Sequence, residues 1–152
     1  MTRHFIQFKD LGFEYAPKVL QRAKEMKDAG YRSDLLSGKV VALIFEKAST
    51  RTRLSFDVGI RPLGGQTIFM TPAESQLGRS EPLRDTARVL SRYVDGLVVR
   101  TFGQEKLDEL AAYGSLPVIN ALTDQGHPCQ VMADVLTIYE RTPQLDALKV
   151  AW

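Results

Sequence analysis

A single cysteine, Cys129, excludes an intrachain disulfide, and a chain that manages without such bridges suits a reducing compartment, so the sequence predicts a cytoplasmic protein. Histidine is almost as scarce. His4 and His127 share no metal-ligand spacing, there is no second cysteine, and neither a metal nor a cofactor is expected. No apolar run is long enough for a membrane span, and the first residues, Met1 to Phe5, carry no apolar signal core. Charge of one sign is also missing: 20 Lys and Arg against 18 Asp and Glu leave a net charge of +2, with no long basic run, which argues against nucleic acid or an anionic membrane as partner. Repeats and low-complexity tracts are absent. What is present, 44% hydrophobic and 25% charged residues over 152 positions, suffices for one globular domain with a core.

The most informative stretch is Glu46-Lys47-Ala48-Ser49-Thr50-Arg51-Thr52-Arg53-Leu54. It follows Lys39 to Phe45, an apolar run that reads as a buried parallel strand, and precedes an apolar-periodic segment starting at Leu54 and Phe56. A helix opening on these residues offers free backbone N–H groups and the positive end of its dipole. Ser49, Thr50 and Thr52 add hydroxyls, and Arg51 adds a fork that matches phosphate oxygens. A bare Ser-Thr pair would be read as an ordinary N-cap. Three hydroxyls alternating with two arginines at the carboxyl end of a strand point instead to an anion site. Glu46 to Thr52 contains no glycine, which disfavours a flavodoxin-like or nucleotide-binding turn.

Elsewhere the spacing predicts helices over Phe13–Ala29, Thr52–Leu63, Leu83–Val94, Gln104–Tyr113 and from Pro128 to about Arg141. Strands are predicted over Gln66–Met70, Asp95–Arg100 and Pro117–Asn120. Thr71 to Pro82 has no apolar period and is a loop, either a solvated connection or a functional one. The alternation implies an α/β fold, a parallel sheet of about four strands with helices on both faces and right-handed crossovers. Leu148 to Trp152 resemble the opening of a further strand, so the chain is expected to continue into another domain.

Three strand ends then bring polar groups to one edge: the Ser49 to Arg53 turn, Arg100, and the helix start at His127-Pro128-Cys129-Gln130. A lone histidine there is more often a cap or a core residue; beside two arginine-bearing strand ends it is a ligand candidate. Near a positive helix end its imidazole should be neutral at pH 7. Cys129 reads as a small buried thiol, and Glu46 and Asp124 as isolated carboxylates.

The stretch from Glu46 to Arg53 resembles the carbamoyl-phosphate signature of the aspartate and ornithine carbamoyltransferases. His127 to Gln130 is similar to that family's second signature, and Asp85 to Arg92 to a segment of its ornithine branch; the Lys47-Ala48 spacing also resembles that branch. The resemblance implies that Ser49, Thr50, Arg51 and Thr52 bind phosphate. It places Arg100, His127 and Gln130 around the carbamoyl group, with Arg51, Arg100 and His127 as the catalytic set and Arg53 structural. It implies residues 1–147 as a carbamoyl-phosphate-binding domain, residues 148–152 as the start of a missing amino-acid-binding domain, and transfer of the carbamoyl group to L-ornithine, as in arginine biosynthesis. It further implies a homotrimer in which Gln76 reaches a neighbour's site. Arg61-Pro62 departs from the pattern and should shorten its helix. A sibling transferase using aspartate or a modified ornithine, and a non-catalytic carbamoyl-phosphate-binding module, are the competing readings.

Overall fold

Val40–Phe45 (β1) forms the middle of the sheet because its residues are apolar on both faces, and Ala42, Leu43, Ile44 and Phe45 are all buried. In the computed structural model, which describes residues 2–71, 81–142, 144, 145, 148 and 149, it is preceded by α1 (Gly12–Ala29). After it come α2 (Thr50–Ile60), β2 (Gln66–Met70), α3 (Leu83–Leu90), β3 (Gly96–Arg100), α4 (Gln104–Tyr113), β4 (Val118–Leu122) and α5 (Pro128–Arg141). The strands are parallel in the order β2-β1-β3-β4, with Val40 opposite Gln66 and Val41 opposite Gly96. Pleating divides β1 between two cores. Ala42 and Ile44 join Leu97, Val99 and Val118 against Ala87 and Leu90 of α3 and Leu107 and Leu110 of α4. Leu43 and Phe45 join Val98 and Ala121 against Ile60 of α2. Helices therefore cover both faces, as the alternation of elements predicts.

Several boundaries differ from expectation for local reasons. α2 opens at Thr50, not Thr52, because Ser49 is extended (φ −160°) and its hydroxyl accepts the Thr52 N–H at 3.3 Å. It ends at Ile60, and Arg61–Leu63 tighten into a 3₁₀ turn before Gly64 (φ 81°), so Arg61-Pro62 does shorten the helix. α3 stops at Leu90, short of Val94, and residues 91–93 turn the chain. Asp95 lies outside β3; its carboxylate accepts from Val40 N–H (2.9 Å) and Lys39 Nζ (2.8 Å). β4 runs on to Leu122, past the predicted Asn120. No strand forms at Leu148 and Lys149, and residues 150–152, like residues 72–80 of the predicted loop, lie outside the described residues.

The amino terminus adds an element that periodicity misses. Phe5 bridges to Ile119, with Phe5 N–H donating to Val118 O and Asn120 N–H to Phe5 O, both at 2.8 Å. Asn120 Nδ2 then donates to Ile6 O at 2.9 Å, and Asp10 caps the following turn by accepting from the Ile6 and Gln7 N–H groups. α1 closes at Gly30 in the left-handed conformation (φ 57°), and its Lys27 pairs with Glu140 of α5 at 2.8 Å.

Candidate functional site

From β1 the chain returns to the sheet on one side, at β2; from β3 it returns on the other, at β4. The carboxyl ends of β1 and β3 therefore flank a topological switch point, where open α/β sheets leave a crevice for ligands. The residues that follow β1 and the last residue of β3 are the sequence's own candidates. Arg100 Nη1 donates to Thr52 Oγ1 at 3.2 Å, joining the start of α2 to the end of β3. Arg100 Nε is buried and has no protein acceptor.

Capping by Ser49 leaves donors at this turn free for an anion. Ser49 Oγ uses a lone pair on Thr52 N–H, leaving its own O–H to donate, and the N–H groups of Thr50 and Arg51 have no intrahelical acceptor. Arg51 is exposed, and among the described residues no side chain pairs with it, so its fork is free for an anion. Arg53 differs: its guanidinium lies 3.6 Å from the Phe69 ring centroid, a packing contact in keeping with a structural role.

His127 is the N-cap of α5 and makes no side-chain capping bond. Burial lowers its pKa from the ordinary 6.5, the neighbouring Arg100 charge lowers it further, and Asp134 opposes both. The expected neutral imidazole follows, though the causes are burial and Arg100 rather than a helix terminus alone. Its Nδ1 is buried without a partner, and it lines a cavity of about 280 Å³ with Gln104, Asn120, Gln125 and Pro128. A larger cleft, about 1020 Å³ between the amino-terminal residues and α1, contains none of the candidate site residues. Gln130 lies in the first turn of α5 but is exposed, and its Nε2 donates to Asp134 Oδ1 at 2.8 Å. Gln76 lies outside the described residues. Cys129 Sγ contacts Asn120 O at 3.4 Å, and burial pushes the thiol up to about 11, so it is inert at neutral pH.

Neither carboxylate expected to be isolated is so. Asp124 pairs with Lys47, whose ammonium also lies 4.1 Å from the Phe102 ring centroid. Glu46 accepts from Lys106 Nζ at both oxygens (2.8 and 2.9 Å) and from Thr101 Oγ1, while its N–H donates to Arg100 O at 2.8 Å. Burial raises the Glu46 carboxyl, but the Lys106 and Thr101 hydrogen bonds more than offset it and leave it below the ordinary 4.5. Thr101 and Lys106 escape sequence reasoning because only the pairing of β1 with β3 brings them to Glu46. β4 carries a bulge here: Val99 pairs with Asn120 and Arg100 with Leu122, and Leu122 adopts φ 149°.

Fold and site together define a parallel α/β domain with a cluster of hydroxyl, guanidinium and free N–H donors at its switch point. The sequence profile described as "Aspartate/ornithine carbamoyltransferase, carbamoyl-P binding domain" matches residues 3–140, and the chain belongs to that family. The chain is similar to an ornithine carbamoyltransferase of Nitratidesulfovibrio vulgaris, 73% identical over 152 residues, which make up all of this chain and 51% of that protein. Among solved structures it resembles the ornithine carbamoyltransferase of Thermus thermophilus, with a TM-score of 0.94 at 38% identity, covering 100% of this chain and 53% of that one. The Pyrococcus furiosus enzyme gives 0.86 at 41%, covering 93% and 46%. The chain spans about half the length of the curated relatives it matches.

Proposed function

We propose that this chain supplies the carbamoyl-phosphate half of an ornithine carbamoyltransferase, which converts carbamoyl phosphate and L-ornithine to L-citrulline and phosphate. The observation that carries the reading is the Arg100–Thr52 hydrogen bond, which converges donors from two strand ends on one point. In this reading Ser49, Thr50, Arg51 and the α2 start bind the phosphate. Thr52, Arg100 and neutral His127 donate to the carbonyl oxygen as it gains negative charge. The neutral δ-amine forms the new C–N bond, the C–O bond to phosphate breaks, and the departing phosphate takes the amine proton, so no protein nucleophile is required. Gln130 reaches the carbamoyl group by giving up its bond to Asp134.

Ornithine is held by a domain beyond the present residues, and Gln76 completes the site of a neighbour in a homotrimer. The single inert cysteine fits a reducing interior such as the cytoplasm, and among the described residues no helix is long and apolar enough to cross a membrane. Titration calorimetry with carbamoyl phosphate or phosphate tests the anion site. Arg51→Ala should weaken binding by about 1.5–3 kcal/mol, roughly 10- to 150-fold, the value of a charge-assisted pair. Equal affinity would sink the assignment.

A further inference from the structure

We infer that Glu46 is a positioning residue for anion binding: through Lys106, Thr101 and the Arg100 carbonyl it holds the two walls of the site in register. The inference rests on the anion-site reading above and adds to it a residue that touches no ligand. Glu46 leaves β1 immediately before the Ser49–Thr52 turn, and its N–H holds the carbonyl of Arg100, the guanidinium-bearing residue of the opposite wall. Its carboxylate then binds Thr101, the residue after Arg100, and Lys106, in the first turn of α4. One side chain, 17% exposed, thus ties three segments that meet at the switch point. The Arg100–Thr52 bond spans the same gap from the other side. If the Glu46 tie is lost, Arg100 and Thr52 keep their chemistry but lose the frame that sets their separation.

Simple electrostatics predicts the opposite sign, which makes the inference testable. A carboxylate near an anion site repels the anion, so removing its charge should tighten binding. A positioning role predicts that binding weakens. In the full-length protein, phosphate affinity is measured by titration calorimetry for wild type, Glu46→Gln, Lys106→Gln and the double variant. Thermal unfolding is followed in parallel, together with the Arg100 Nε–H NMR resonance.

Glu46→Gln is expected to weaken phosphate binding about tenfold, within the range for coupled neighbours. It should also shift the Arg100 resonance, and the double variant should bind no better than the weaker single one. Unchanged or tighter binding in Glu46→Gln, or a double variant restored to wild-type affinity, overturns the inference, since the pair would then act by charge alone. Should Glu46→Gln not fold, Thr101→Val removes one bond to the carboxylate without changing any charge. It should still weaken binding at least about twofold, and no change there is equally decisive. Failure of the wild type itself to bind phosphate would refute the underlying reading, a result distinct from any of these.

Discussion

His127 stands between opposing influences: burial and the Arg100 guanidinium favour the neutral ring, and Asp134 favours the charged one. The balance lowers its pKa, so above about 6.5 the folded and unfolded chains hold the same neutral ring. As pH falls below 6.5 the unfolded chain takes up a proton before the folded one does, and stability declines until the folded pKa is passed. The imidazole C–H resonances should titrate with a midpoint below 6.5, and added phosphate should raise that midpoint, because an adjacent anion favours imidazolium. A midpoint at or above 6.5 without ligand would mean that burial and Arg100 together do not outweigh Asp134. The site residues that sequence names are those marked by local pattern. Ser49 to Thr52 follow a strand, Arg100 ends one, and His127 precedes a proline at the first position of a helix. The Glu46 partners carry no such mark. Lys106 looks like any lysine on a helix until β3 is placed beside β1.

At the scale of an element, α2 is fixed at both ends by different physics. Its start is set by the Ser49 hydroxyl, a signal present in the sequence, although the periodicity of apolar residues alone delays the start to Thr52. Its far end is set by Pro62 and the 3₁₀ turn, and the chain beyond it is closely packed. Gly65 is buried, and a Cβ there would lie 2.7 Å from Ile60 Cγ2 and 3.0 Å from Leu36 Cβ. Gly65→Ala should therefore destabilise the chain by about 1–3 kcal/mol in urea titration, the cost of overpacking a core. Phosphate affinity should change little, since the proposed anion site lies at the opposite end of the helix. A loss below about half a kcal/mol would show that Ile60 yields freely. The end of α3 has no comparable signal in the sequence. Leu90 and Val94 share its apolar spacing, yet the Ser91 hydroxyl bonds back to Ala87 O at 2.8 Å and the chain turns before Val94.

Over the whole molecule, the sheet and its two helical layers were legible because every strand but β2 is a short apolar run between helical periods. The order of the strands was not, since nothing in a strand's composition names its neighbour. The Phe5–Ile119 bridge leaves no mark in the sequence for a related reason: a single bridged residue has no period. Because the chain spans about half of its relatives, it is expected to bind carbamoyl phosphate without transferring the carbamoyl group. Holding the amine against the carbonyl supplies roughly 7–11 kcal/mol of barrier reduction, and the proposed ornithine site lies beyond these residues. A citrulline assay on the chain and on the full-length protein, with sedimentation of the latter, checks this. Turnover by the short chain would place ornithine within residues 1–152, and a monomeric full-length protein would leave Gln76 without its role.

The strand order also bears on how much length variation the fold tolerates. Val40 meets Gln66 across a single helix, whereas Val41 meets Gly96 across roughly twice as much chain, yet loop-closure entropy grows only logarithmically. The longer excursion costs about 0.6 kcal/mol more than the shorter. Loop-closure entropy by itself therefore puts little constraint on the length of the β2–β3 connection; the α3 residues Ala87 and Leu90, packed in the core, constrain it far more.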